Sequence, residues 1–145
     1  MVAIAEIYSF IQTELEVPET LLNNDTDLFQ TFDISADASE DFIDKFATKF
    51  KVDLDDYCWY FHHGEAGLNL GGFIVAPPYK RVERIAITPD VLLKSATKRR
   101  WKVKYPEHQI PKKRWDMVIN KAILFLVFFY FLNRFMPLLI QQVMG

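Results

Sequence analysis

The stretch Ala122-Ile-Leu-Phe-Leu-Val-Phe-Phe-Tyr-Phe-Leu132 contains eleven consecutive residues without a charged, amide or turn-forming side chain. After Asn133 and Arg134, the segment Phe135-Met-Pro-Leu-Leu-Ile140 adds six further apolar positions. A membrane-spanning helix needs about 20 mostly apolar residues. We therefore predict a C-terminal transmembrane helix over residues 115–144. The alternative is an apolar helix that folds back onto the rest of the chain or onto a partner.

Arg134 is the weak point of this helix. An arginine at the centre of a span costs about 2.5–3.5 kcal/mol, whereas each Leu, Ile, Phe or Val returns about 0.3–0.6 kcal/mol. The summed free energy of inserting the apolar side chains exceeds this cost, so the balance favours insertion. If the span slides toward Trp115, Arg134 moves toward the far interface and can reach water there.

Cations precede the apolar segment and predict its orientation. Residues 94–121 contain ten Lys or Arg against two acids, whereas no charged side chain follows Arg134. Cytoplasmic flanks carry the excess of Lys and Arg. We therefore expect a single-pass protein of the bacterial inner membrane with its N-terminal domain in the cytoplasm. The expected membrane-surface cations are Lys98, Arg99, Arg100, Lys112, Lys113 and Arg114.

Charge is divided sharply along the chain. Residues 1–93 have a net charge of −11, and residues 94–145 have a net charge of +9. The basic part should be attracted to anionic lipid, and the acidic part should suit a basic protein partner. Interleaved Arg, Lys and Trp can also bind nucleic acid. Next to an apolar segment the lipid interpretation is the better one, and we expect no nucleic-acid partner.

The head of the chain is predicted to be helical. Ile4, Ile7, Ile11 and their neighbours follow one helix face, which Pro18 ends. A second helix is expected with Asp37 as its cap and Glu40 closing a capping box. A short third helix is expected over residues 53–64, and a fourth is expected to begin at Thr88 and Pro89. Residues 64–86 should be irregular or form a small β-hairpin.

One face of the second helix is acidic. Asp37, Glu40, Asp41 and Asp44 recur at helical spacing, opposite the apolar Phe42, Ile43, Phe46 and Phe50. Lys45 and Lys49 are expected to lie off this stripe. The ordinary interpretation is a solvated face, and the functional one is a surface that docks a basic partner.

The order of elements resembles the acyl carrier proteins. The acidic helix ends in Phe50-Lys-Val-Asp-Leu54, and the last helix opens in Ile87-Thr-Pro-Asp90. More closely, Phe32-Asp-Ile-Ser-Ala-Asp-Ala-Ser-Glu-Asp-Phe42 is similar to an uncharacterised bacterial family catalogued as domain of unknown function fourteen-ninety-three. The resemblance covers roughly residues 1–101 and implies a small helical bundle with an acidic docking face.

The chain departs from the carriers at the residue that carries their prosthetic group. The carrier Asp-Ser-Leu motif bears a phosphopantetheine arm on its serine, and the matching position is Ala36. Ser35 and Ser39 lie near, and Ser35 is the better candidate because it precedes the cap. We expect no cofactor, no catalytic residues and no enzymatic activity.

Cys58 and His62 stand four residues apart, which is a spacing found in zinc sites. No second pair of ligands accompanies them, so we expect no metal. The single cysteine excludes an internal disulfide.

These observations predict a mostly α chain in three parts: an acyl-carrier-like helical bundle over residues 1–101, a basic juxtamembrane neck over 102–114 and the transmembrane helix. A membrane-tethered, non-catalytic adaptor is the preferred function. The alternatives are a functional acyl or aminoacyl carrier and a small membrane-active protein, and the oligomeric state stays open.

Overall fold

The computed structural model describes all 145 residues, and it is mostly helical without β-strands. This confirms the predicted fold class. The five α-helices are α1 (Ile4–Leu15), α2 (Leu28–Thr31), α3 (Ala36–Phe50), α4 (Pro89–Lys98) and α5 (Trp115–Met144). Four short 3₁₀ turns, Glu19–Leu21, Trp59–Phe61, Leu70–Phe73 and Pro78–Lys80, lie between them.

The chain divides into two compact units that alternate along the sequence. The first unit contains Met1–Ala66 and Val82–Gln109, and the second contains Gly67–Arg81 and Ile110–Gly145. The first unit holds α1 to α4, and the second holds α5 with the loop of residues 67–81.

The core of the first unit forms where α1 packs against α3 and α4. Phe10 of α1 lies against three phenylalanines of α3, with ring centroids 5.1 Å from Phe42, 5.9 Å from Phe46 and 5.6 Å from Phe50. Trp101 is also buried in this core. The apolar faces predicted from helical spacing are therefore the faces that the helices bury.

The cap of α3 differs from the prediction. Ser35 is the N-cap, and its Oγ accepts a hydrogen bond from the backbone N–H of Ala38 at 3.3 Å. Asp37 lies inside the first turn, where the helix dipole favours a carboxylate. The predicted capping box of Asp37 and Glu40 is wrong because Ser35, with its extended backbone, already supplies the capping oxygen.

The predicted helix over residues 53–64 is reduced to the turn Trp59–Phe61. Asp53 instead pairs with Arg100 in an isolated parallel bridge, and its carboxylate accepts a hydrogen bond from the N–H of Asp55 at 2.8 Å. An aspartate that bonds nearby backbone competes with helix formation. The segment therefore begins with extended backbone, and its only helical part is the 3₁₀ turn Trp59–Phe61.

Residues 64–86 contain 3₁₀ turns and irregular backbone, so the hairpin considered for this stretch does not form. Asn69 caps the turn Leu70–Phe73 by accepting from the N–H of Gly72 at 2.9 Å. Other backbone groups of this loop bond to side chains of α5 rather than to a second strand.

Candidate functional site

The four acids predicted to bind a partner are all exposed on α3. Asp37, Glu40, Asp41 and Asp44 lie on the solvent side of a helix whose other side buries Phe42 and Phe46. Their carboxylates are therefore accessible to a partner, as the helical spacing indicated.

Lys45 does not lie off this acidic face. Its Nζ is 2.8 Å from the Asp41 carboxylate and 3.0 Å from that of Glu14 in α1. Residues four apart meet on a helix surface, and helical spacing within α3 gives no information about Glu14 on the neighbouring helix. The acids that make no salt bridge are Asp37, Glu40 and Asp44, and these three carry the negative charge of the face.

The two serine candidates have different surroundings. Ser35 is exposed at the N-terminus of α3, where its Oγ caps the helix. Ser39 is fully buried, and its Oγ donates to the carbonyl oxygen of Ser35 at 2.8 Å. Of the two hydroxyls, only that of Ser35 is accessible to a modifying enzyme.

The six predicted membrane-surface cations belong to two different units. Lys98, Arg99 and Arg100 close α4 in the first unit, and Arg100 forms a salt bridge with Asp56 at 2.7 Å. Lys112, Lys113 and Arg114 precede α5 in the second unit. The Lys113 ammonium lies 4.1 Å from the centroid of the Trp115 ring, and Arg114 forms a salt bridge with Asp116 at 2.6 Å.

The helix α5 is long and apolar enough to span a membrane. None of its most apolar 18-residue window is buried. Phe125, Leu126, Phe128 and Tyr130 are each more than half exposed. An apolar surface of this extent is typical of contact with lipid or with another protein.

The first turns of α5 hold the loop of residues 67–81 through a polar contact that the sequence did not predict. Asn120 donates from Nδ2 to the carbonyl oxygen of Leu68 and accepts at Oδ1 from the N–H of Leu70, both at 2.8 Å. Asn69 donates to the Asp116 carboxylate at 2.9 Å. Asp116 and Asn120 are buried by these contacts. We call this set, Asn69, Asp116 and Asn120, the polar clamp.

Two signals in the sequence point to the polar clamp in retrospect. Asp116 and Asn120 stand four residues apart at the start of an otherwise apolar helix, so they share one face. Buried polar groups need partners. The Gly71-Gly72 pair in the loop allows the close approach of backbone to that face.

The Cys58–His62 pair lies in a hydrogen-bond network centred on Tyr105. The buried His62 ring donates from Nδ1 to the carbonyl oxygen of Ile85 and accepts at Nε2 from the Tyr105 hydroxyl, both at 2.8 Å. The Tyr105 oxygen accepts in turn from Trp101 Nε1 at 2.7 Å and from the N–H of Cys58 at 3.2 Å. Both ring nitrogens of His62 are therefore occupied by protein groups.

Burial lowers the pKa of His62 to about 4 and raises that of Tyr105 to about 12. At neutral pH the imidazole and the phenol are both uncharged. This network ties residues 58–62 to residues 85 and 101–105 within the first unit, which is a structural role. Trp101 lies in the core of the first unit, and Tyr105 packs against that core.

The protein-family model described as "Protein of unknown function (DUF1493)" matches residues 3–104, which is more than half of the chain. This confirms the resemblance to domain of unknown function fourteen-ninety-three; the resemblance to acyl carrier proteins stays a prediction. No curated protein and no solved structure matches the chain. The helix α5 lies outside the matched residues.

Proposed function

The chain belongs to the family described as protein of unknown function (DUF1493), and we propose that it is a membrane-tethered, non-catalytic adaptor. In this proposal α5 anchors the chain in the bacterial inner membrane, and the acyl-carrier-like first unit faces the cytoplasm. There α3 docks a basic protein partner.

The exposed surface of α5 supports the membrane part of the proposal. Exposed large apolar side chains follow one another from Leu124 to Leu132, and further ones lie between Phe135 and Met144. Burying apolar surface in lipid is favourable by about 25 cal/mol for each Å² removed from water. The cations Lys112 and Lys113, which precede α5, support the cytoplasmic orientation.

The exposed acids of α3 support the docking part. Asp37, Glu40 and Asp44 place three carboxylates on one helix face without a salt bridge. Like charges at these spacings weaken a helix by a few tenths of a kcal/mol per pair. A basic partner would relieve that repulsion and would be steered toward the face.

Membrane fractionation and cysteine accessibility test the anchoring. The full chain should stay in the membrane fraction after carbonate and high-salt washes. In a Cys58→Ser background, an impermeant maleimide added to spheroplasts should label Val143→Cys and leave Thr48→Cys unlabelled until the membrane is opened. Recovery of the full chain in the soluble fraction would reject the proposal, and labelling of Thr48→Cys first would reverse the orientation.

A second candidate function, an acyl or aminoacyl carrier, rests on the exposed position of Ser35 at the N-terminus of an acidic helix. Co-expression with a phosphopantetheinyl transferase tests it. A gain in intact mass that is lost in Ser35→Ala would establish the carrier function. An unchanged mass would reject the carrier and retain the adaptor proposal. We favour the adaptor because Ser35 already caps α3 and the resemblance aligns Ala36 with the carrier serine.

A further inference from the structure

The loop of residues 67–81 exposes large apolar side chains next to the start of α5. Phe73 is 84% exposed, Ile74 67% and Leu68 64%. All three lie in the second unit, together with α5. Single exposed apolar residues are ordinary on a protein surface. A group of three needs an explanation when the structure fixes its position.

The polar clamp fixes that position. Asn120 bonds to the backbone on both sides of Asn69, and Asn69 bonds to Asp116. Gly71 lies so close to α5 that a Cβ atom at this position would overlap the carbonyl oxygen of Asp116. Breaking a buried hydrogen bond leaves a group that costs about 1–3 kcal/mol. The loop is therefore held at the level of residues 116–120.

This level coincides with the near edge of the apolar part of α5. Lys121 is the last charged residue before the charge-free run that begins at Ala122. Irregular backbone is not tolerated in the lipid-exposed hydrocarbon, so the loop marks the interface. From Ala122 to Ile140 the helix then measures about 28 Å at about 1.5 Å per residue, close to a hydrocarbon core of about 30 Å.

Cations and aromatic rings accompany the loop at this level. The Lys80 ammonium lies 5.8 Å from the centroid of the Phe73 ring, and Lys113 lies over Trp115. Trp115 is half exposed, and Lys80, Lys112 and Lys113 are exposed. Apolar and aromatic side chains bordered by lysines are typical of segments at the boundary between headgroups and acyl chains. Each lysine near an anionic surface contributes about 1 kcal/mol of attraction.

We propose that Leu68, Phe73 and Ile74 form a second membrane contact, a shallow wedge that enters the headgroup–acyl boundary of an anionic leaflet beside α5. The inference rests on the proposal that α5 spans the membrane. The occupant of this surface is lipid: the apolar tips meet the upper acyl chains, and Lys80, Lys112 and Lys113 meet the phosphates. The wedge sets the depth at which α5 enters the bilayer.

Depth-dependent quenching of an environment-sensitive fluorophore tests the wedge in the full chain. Three single-cysteine variants in the Cys58→Ser background, Phe73→Cys, Phe125→Cys and Leu21→Cys, are labelled and reconstituted into phosphatidylglycerol-containing nanodiscs. Leu21 is the matched control because it is an exposed apolar residue of the first unit. Phe125 reports the insertion of α5.

The wedge predicts that a shallow lipid nitroxide quenches position 73 more than a deep one, that a deep nitroxide quenches position 125, and that aqueous iodide quenches position 21 most. Lipid quenching at 125 with only iodide quenching at 73 would overturn the wedge and leave the anchor standing. Loss of lipid quenching at both 73 and 125 would overturn the anchor as well.

Charge dependence gives an independent readout that does not alter Phe73. With the label at Ile74→Cys, shallow quenching should fall when phosphatidylglycerol is replaced by phosphatidylcholine, and it should fall likewise in Lys80→Gln/Lys113→Gln. Equal shallow quenching in both lipids and in the lysine variant would contradict the proposed contact with lipid phosphates.

Discussion

Gly71 packs directly against the backbone of Asp116, without room for a β-carbon between the loop and α5. A Cβ atom at position 71 would overlap the Asp116 carbonyl oxygen and would lie 2.7 Å from the backbone nitrogen of Asn120. Both obstacles belong to helix backbone, which cannot rotate away as a side chain can. Glycine is therefore required where the loop meets the helix.

Gly71→Ala should detach the loop from α5. The added methyl group forces the backbones apart, and overpacking of this kind costs about 1–3 kcal/mol. Hydrogen exchange at Leu70 and Gly72 should accelerate. Gly72→Ala is a milder comparison, because a Cβ there would press on the Asn69 side chain at 3.3 Å and not on helix backbone, so exchange at Leu70 should accelerate less. Equal protection in the two variants would show that the contact with Asp116 does not hold the loop.

Tyr105→Phe should destabilise the first unit more than Tyr57→Phe. The Tyr105 hydroxyl serves His62, Trp101 and the backbone of Cys58, and removing it leaves buried groups unpaired at about 1–3 kcal/mol. The Tyr57 hydroxyl is buried without a hydrogen-bond partner in the protein, so its removal should be nearly neutral. Thermal unfolding of both variants in the same detergent compares them. Equal losses would contradict the role of the network.

His62 should make the first unit sensitive to acid. Burial holds its folded pKa at about 4, below the ordinary 6.5, so the unfolded chain takes up the proton first. The contribution of neutral His62 to the free energy of unfolding is fully present above pH 6.5 and is lost as the pH falls toward 4. The loss is on the order of 3 kcal/mol.

The measurement is the free energy of unfolding between pH 7.5 and 4 for the wild type and for His62→Gln. Because glutamine does not titrate, the variant should show a flatter profile even if its stability at pH 7.5 is lower. Parallel profiles would mean that other groups cause the acid dependence.

Arg134 should limit insertion of α5. With the near edge of the span at Ala122, Arg134 lies about 18 Å into a hydrocarbon core of about 30 Å. Its Cβ points toward the helix N-terminus and thus away from the far interface. Arg134→Leu should raise the carbonate-resistant fraction by removing a cost of about 2.5–3.5 kcal/mol.

Lys121→Leu is the control for Arg134→Leu, because a cation at the near edge costs little. If the two variants behave alike, the span does not begin at Ala122. A crosslinking pattern that changes only in Arg134→Leu would instead show that the arginine pairs with an acid on a partner helix.

Reversal of the acidic face should abolish partner binding without unfolding the first unit. Glu40→Lys/Asp44→Lys removes two exposed carboxylates without a salt bridge and spares Asp41, which pairs with Lys45. Surface changes of this kind alter stability by about 0.5 kcal/mol. The double variant should lose salt-sensitive partners in a pull-down.

The matched control for the acidic face is Asp55→Lys/Glu83→Lys, which makes the same change of charge elsewhere on the first unit. Its pull-down should equal that of the wild type. A partner set that survives in the α3 variant would show that the acids form an ordinary solvated surface.

The helical spacing of apolar residues predicted α1 and α3 because the core is formed by those same apolar faces. The apolar faces of α1 and α3 and the start of α4 at Thr88 and Pro89 follow from local spacing and capping chemistry. The exposed apolar α5 follows from composition alone. In each case the determining interactions lie within a few residues of one another.

The remainder depends on partners distant in the sequence. Lys45 appeared to lie off the acidic face because Glu14, its second partner, is on another helix. His62 suggested a metal ligand until Ile85 and Tyr105 were brought to its ring. The loop of residues 67–81 gave no clear pattern because its hydrogen-bond partners, Asp116 and Asn120, lie some fifty positions downstream.

The interleaved arrangement of the two units also has a consequence for biosynthesis. Residues 67–81 leave the ribosome well before Asn120, so the carbonyl of Leu68 and the N–H of Leu70 stay hydrated until α5 has been translated. The loop therefore acquires its structure only after α5 has been translated. A chain released before Asn120 is made would expose the unbonded loop with its apolar Leu68, Phe73 and Ile74, which is the kind of surface that chaperones and proteases capture.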